Sequence, residues 1–194
     1  HLIKPGTVLT DVTGVKCSTV YRIQQLVPKG AEFISAHPMA GRECLGVQNA
    51  TDAIFKNANY LVVPTEDNTE EAILLCEELG RELGFARISR ISPEKHDEMI
   101  AFLSQLTHAI VVTLMCCNDS PDLVDYTGDS FRDLTRIAKI DDVMWNELFM
   151  CNRDELARQM DIFSENFERM RRALKEGKSG WRLPKVEGEV EWVV

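Results

Sequence analysis

The chain reads as an α/β layer followed by an all-α region, with the change of pattern near residue 92. Three observations carry that expectation. Short β-branched or apolar runs alternate with helical segments as far as Ile91. Ser92-Pro93 then pairs an N-cap residue with a proline at the first helical position. Beyond it no convincing strand follows before the tail. Residues 1–91 are therefore the expected α/β domain, 92–176 the helical domain and 177–194 a C-terminal tail.

Each element has a local reason. Residues 7–11 are a β-branched run after Pro5-Gly6, and Val15, Val20, Ile23 and Leu26-Val27 mark an apolar face. Residues 32–36 are a second strand. Residues 60–64, continuous and apolar, suit a parallel sheet covered on both faces. Asn68 as N-cap, Glu70 and Glu71 in the first turn and Gly84 as the stop predict a helix over 69–83. Residues 87–91 are the last strand. The helix begun at Pro93 is expected to reach about Cys117. Asn152 with Glu155 resembles a capping box. Leu156, Met160, Phe163, Phe167, Met170 and Leu174 then form one apolar stripe that ends at Gly177.

Composition narrows the function. The 194 residues are 44% hydrophobic and 27% charged, with a net charge of −9. So acidic a chain lacks the basic surface that nucleic acid requires. Six cysteines (Cys17, Cys44, Cys76, Cys116, Cys117 and Cys151) show no C-x-x-C pair and no zinc-type spacing, and are expected to be reduced thiols of a cytoplasmic protein. The apolar run 109–117 is shorter than the roughly 18–20 residues of a membrane span, and no membrane partner or signal peptide is expected.

Candidate site residues come from two stretches. In Ile34-Ser35-Ala36-His37-Pro38-Met39-Ala40-Gly41-Arg42-Glu43 a strand ends in a histidine, a proline and a small-residue turn. At the carboxyl end of a parallel strand, His37 would stand where open α/β sheets hold ligands, and its imidazole can accept a proton near neutral pH. An exposed loop histidine or a helix cap fits the same letters. In residues 131–139, Arg132, Arg136 and Lys139 fall within about 60° of one another on a helix, a face that suits a carboxylate or simply solvent. His108 lies in an apolar stretch and is expected to be a core histidine, while His96 is expected to be exposed. Trp145 could be core, interface or a wall against a ring. The Gly14 turn before Val15-Lys16 could hold an anion.

Taken together, LIKPGTVLTDVTGVK at 2–16, HPMAGRE at 37–43, SPEKHDEMIAFLSQLTHAI at 92–110 and FRDLTRIAKIDDVMW at 131–145 resemble the prephenate dehydrogenase family of tyrosine biosynthesis. The resemblance implies a Rossmann-like nucleotide domain, represented here by its C-terminal half, followed by a helical dimerisation domain. No G-x-G-x-x-G lies between a strand and a helix, and the chain opens on His1. The expectation is therefore a family member without its first few βα units, inactive alone and unable to bind NAD or NADP measurably. The implied reaction is oxidative decarboxylation of prephenate to 4-hydroxyphenylpyruvate, with arogenate as an alternative substrate and a non-catalytic dimerisation or regulatory module as another possibility.

The resemblance also assigns roles. His37 matches the catalytic histidine that accepts a proton from the ring hydroxyl. Arg136 matches the arginine on a substrate carboxylate, Glu43 a gating or polar contact, and His108 and Trp145 the pocket wall. Arg132 joins them through the basic face, and Asp11, Thr13 and Gly14 fall in the loop near the nicotinamide. Gly14 replaces the family's usual serine, so either Thr13 supplies the hydroxyl supporting His37 from one position earlier or that support is absent. Ser104-Gln105-Leu106-Thr107-His108 departs from the frequent S-H-L-P-H. The implied assembly is a homodimer through the helical domain.

Overall fold

The computed structural model describes residues 2–41 and 46–177. Glu43 and the tail beyond Gly177 lie outside these residues. Strands β1 (Val8–Asp11), β2 (Glu32–Met39), β3 (Asn59–Val63) and β4 (Arg87–Arg90) form one sheet in the order β1-β2-β3-β4. β1 and β2 are parallel, as are β3 and β4, but β2 and β3 run antiparallel. The sheet is thus mixed, and the expectation of parallel neighbours around β3 fails. Two β-α-β units meet back to back. The helix linking β1 and β2 is short, α1 (Val20–Gln24), while β3 and β4 are joined by α2 (Glu70–Glu82).

Alternate side chains of a strand face opposite sides. Ile34, Ala36, Tyr60 and Val62 point to one face and form the core with Ala72, Ile73, Cys76 and Phe85. Phe33, Ser35 and His37 belong to the other face. α2 is capped by Thr69, whose hydroxyl accepts from the Ala72 amide at 3.2 Å. Asn68, the expected cap, instead donates to Glu32 and to the Phe33 carbonyl at 3.0 and 2.7 Å and so ties the helix start to β2. Gly84 at φ +84° ends the helix as expected.

Ser92 caps α3 (Pro93–Ile100) through the Lys95 amide, with Pro93 in the first turn. The helix continues through a π-helical stretch, Ala101–Leu106, into α4 (Thr107–Cys116). By length and composition the whole of Pro93–Cys116 is apolar enough to cross a membrane, more than the run 109–117 alone suggested. It carries buried His96, Asp97 and Gln105 and packs against a later helix.

The remaining helices are α5 (Leu123–Tyr126), α6 (Asp129–Thr135) with a 3-10 turn over Arg136–Ala138, α7 (Asp142–Cys151) and α8 (Arg153–Lys175). Asn152 makes no side-chain cap, and the expected capping box is not formed. Its amide donates to the Asp97 carbonyl and to Gln105 Oε1, both at 2.9 Å, while Gln105 donates to the Leu148 carbonyl at 2.9 Å. A buried polar knot thus fastens the break between α7 and α8 to the long helix. On the α8 stripe only Leu156 is buried. Met160, Phe163, Phe167 and Leu174 are exposed on this single chain.

Candidate active site

β2 is longer than its parallel neighbour. β1 stops at Asp11 opposite Ser35, and the overhanging part of β2 pairs with β3 alone, His37 lying opposite Leu61. His37 is therefore inside the strand, not beyond it as the sequence suggested, and sits past the end of β1. Its ring faces α3, where His96 Nε2 lies 2.8 Å from His37 Nδ1. His96 Nδ1 in turn lies 2.8 Å from Asp97 Oδ1.

His96 is completely buried, which reverses the expectation of an exposed first-turn histidine. The helix phase explains it: the cap at Ser92 and the apolar Ile100 one turn later turn this face onto the sheet. Asp97 also accepts the Lys16 and Cys17 amides, each at 2.8 Å. Burial pushes the Asp97 carboxyl up, but these hydrogen bonds outweigh it and hold the group below the ordinary carboxylate range. Burial, then the neighbouring His96 and Lys16, bring His37 down to about 4. His37 is thus neutral at neutral pH, the form that accepts a proton.

Asp11, Thr13 and Gly14 follow β1. The Asp11 carboxylate accepts from Ser35 Oγ at 2.6 Å, the Thr13 amide at 3.0 Å, the Thr13 hydroxyl and the Lys16 ammonium at 3.1 Å. Burial raises the Asp11 pKa, and these partners more than reverse it. Thr13 Oγ1 is engaged with Asp11, the Val15 carbonyl and Lys16, not with His37. The expected hydroxyl support for His37 is therefore replaced by the imidazole of His96. Gly14 does not precede a usable helix N-terminus, because α1 starts only at Val20 and has five residues. A Cβ there would meet Leu148 Cδ2 at 3.3 Å.

Between the overhang of β2 and the helical domain lies a cavity of about 550 Å³. His37 and Gly41 line it from the strand side, Ser104 and His108 from the long helix, and Lys139 and Trp145 from the far wall. His108 and Trp145 stack with ring centroids 3.8 Å apart, so neither is plain core. His108 Nδ1 lies 2.8 Å from the Ser104 carbonyl, which can only accept, so that nitrogen carries a hydrogen.

The basic face does not form as projected. α6 ends at Thr135 and the tighter 3-10 turn follows, which rotates the later residues off the α-helical projection. Arg132 is exposed and donates to the Thr127 carbonyl and Asp129, outside the cavity. Arg136 is exposed at the start of the turn, and Lys139 is the member of the trio that reaches the cavity lining. Asp141 lines it too, while its carboxylate caps α7 by accepting the Met144 amide at 2.9 Å.

The described residues do not by themselves fit a whole dinucleotide. The 194-residue sequence contains no G-x-G-x-x-G, and the Asp11 carboxylate is already taken by protein donors. The loop after β1 offers only an edge beside the His37 overhang, with Val12 exposed.

The chain matches two halves of one family: "Prephenate dehydrogenase, nucleotide-binding domain" over residues 1–88 and "Prephenate dehydrogenase, dimerization domain" over residues 92–184. A prephenate dehydrogenase of Bacillus subtilis is 28% identical over 174 residues, 87% of this chain and 47% of the relative. A cyclohexadienyl dehydrogenase of Zymomonas mobilis is 26% identical over 89% of this chain and 60% of the relative. A solved prephenate dehydrogenase from A. aeolicus, in complex with hydroxyphenyl propionate and NAD+, superposes with a TM-score of 0.80 at 27% identity, over 90% of this chain and 62% of that one. The chain spans about half the length of the curated relatives it matches.

Proposed function

Because the chain belongs to the prephenate dehydrogenase family, we propose that its cavity is the ring-binding site of a dehydrogenase acting on prephenate. The observation that carries this reading is one cavity joining a neutral histidine at its sheet end to a stacked His108–Trp145 wall. His37 accepts the proton of the ring hydroxyl, the flat wall packs against the ring, and Lys139 offers a cation to a substrate carboxylate. Arg136 and Glu43 stay assigned to substrate by family resemblance alone. NAD or NADP serves as the oxidant, and the described residues do not by themselves suffice to hold it.

Arogenate is the second reading. Its side chain carries an amino group where prephenate has a keto group, and Asp141 lines the cavity beside Lys139. A cytoplasmic homodimer joined through the helical domain completes the proposal. The exposed Met160, Phe163, Phe167 and Leu174 are the apolar surface such a dimer would cover.

The test is kinetic and calorimetric. Enzyme carrying a complete nucleotide domain should turn over prephenate with NAD+ or NADP+, and the kcat/KM ratio against arogenate decides the substrate. His37→Asn should lower kcat by about 10²–10⁴. An unchanged kcat where chemistry limits the rate removes His37 from this role. The 194-residue chain alone should show no calorimetric binding of NAD+, and tight binding would refute the reading that its residues do not suffice to hold the cofactor.

A further inference from the structure

We propose that His96 and Asp97 are positioning residues that fix the tautomer of His37, turning its Nε2 lone pair to the cavity and drawing away the proton charge it receives. The proposal rests on the reading of His37 as the proton acceptor. It follows from counting donors. The two Asp97 oxygens accept the Lys16 and Cys17 amides, so the group facing His96 is an acceptor and His96 Nδ1 carries the hydrogen. A neutral His96 then has a bare Nε2. His37 Nδ1, 2.8 Å away, must supply the hydrogen of that contact, which leaves His37 Nε2 bare.

Complete burial of His96 keeps water from substituting for either partner. When a substrate O–H bond breaks and a His37 Nε2–H bond forms, the His37 Nδ1 proton can pass to His96 Nε2. His37 is then neutral again, and the positive charge rests on His96 beside the Asp97 carboxylate. Among the described residues the other charged groups facing this region are Asp11, paired with Lys16 from the β1 side, and Lys139 and Asp141, which line the cavity across from it, where His108 also faces. Asp97 is the carboxylate in direct contact with the relay.

The tautomer is readable without substrate or cofactor. In the 194-residue chain labelled with ¹⁵N-histidine, with His37 assigned by loss of its signals in His37→Gln, two-bond ¹H–¹⁵N spectra at pH 7 should show His37 protonated at Nδ1. His96→Leu should bring in the Nε2–H form. His96→Gln, whose amide oxygen can still accept from Nδ1, should restore the parent pattern. In enzyme that turns over, His96→Leu should lower kcat about tenfold with KM little changed, and His96→Gln should recover part of the loss.

A parent chain with His37 protonated at Nε2, or a folded His96→Leu variant with Nδ1–H alone, overturns the proposal. If His96→Leu does not fold, the parent spectrum and the His96→Gln variant still decide. Nδ1–H in a protein that oxidises neither substrate would refute the proposed function while supporting the positioning.

Discussion

The Lys16 ammonium, with none of its surface exposed, donates to the Ala36 carbonyl at 2.6 Å, at the peptide leading into His37. It also pairs with Asp11, which holds Ser35 Oγ. The loop after β1 is thereby clamped to the strand that presents His37. Lys16→Met leaves Asp11 and the Ala36 carbonyl without their cation. The expected loss is about 3–5 kcal/mol of unfolding free energy, as for other broken buried ion pairs. Urea denaturation measures it, and Lys16→Met/Asp11→Asn should recover part of the loss because the two sites couple.

Gly80 meets the core at close range. A Cβ there would lie 2.6 Å from Tyr60 Cδ1, inside the cluster that joins α2 to the sheet. Alanine is intrinsically the better helix residue by about 1 kcal/mol, yet Gly80→Ala should destabilise, since overpacking typically costs about 1–3 kcal/mol. Thermal unfolding should show a lower Tm. An equal or higher Tm would mean that the Tyr60 ring moves aside freely.

His37 also sets a pH signature. Its pKa is about 4 in the folded chain against an ordinary 6.5. Between these values the unfolded state binds a proton that the native state does not. Stability should therefore be insensitive to this group above about pH 6.5 and should fall as pH drops toward 4. Asp11 and Asp97, both held low, contribute in the other window. Their stabilisation is present above their unfolded values and is lost as pH falls below about 4. Denaturation of parent and His37→Gln across pH 4–7 should show a shallower slope in the variant.

Lys139, not Arg132, should matter for substrate. Lys139→Met should raise KM about tenfold to a hundredfold, the worth of a charged hydrogen bond, with a smaller effect on kcat. Arg132→Met, whose partners are Thr127 and Asp129, should leave KM nearly unchanged. Initial-rate kinetics on the two variants separates them, and the reverse order would restore the projected basic face.

Local signals such as Ser92-Pro93, Gly84 and the α8 stripe were legible because cap and periodicity are written in neighbouring residues. The overhang of β2 was not, because the end of β1 decides it. His96 was misjudged since burial of a first-turn residue depends on which sheet the helix meets. The Ser92 cap and Ile100 nonetheless contained the phase that could have revealed it. Arg132 was placed wrongly because the projection assumed α-helix through Lys139, whereas α6 tightens after Thr135. Asn152 was read as a local cap, but its partners Asp97 and Gln105 are distant in sequence.

The π-helical stretch Ala101–Leu106 acts as a rotational spacer. At about 100° per residue, a pure α-helix would set His96 and His108 about 120° apart around the axis. A π turn absorbs roughly one extra residue and so winds back about that angle, bringing His96, Ile100, Ser104 and His108 onto one line. The helix can then support His37 from beneath with one histidine and wall the cavity with another. Deleting a single residue from this stretch would let it close to a plain α-helix with His96 and His108 about 20° apart around the axis, whereas inserting one would turn His108 away from Trp145.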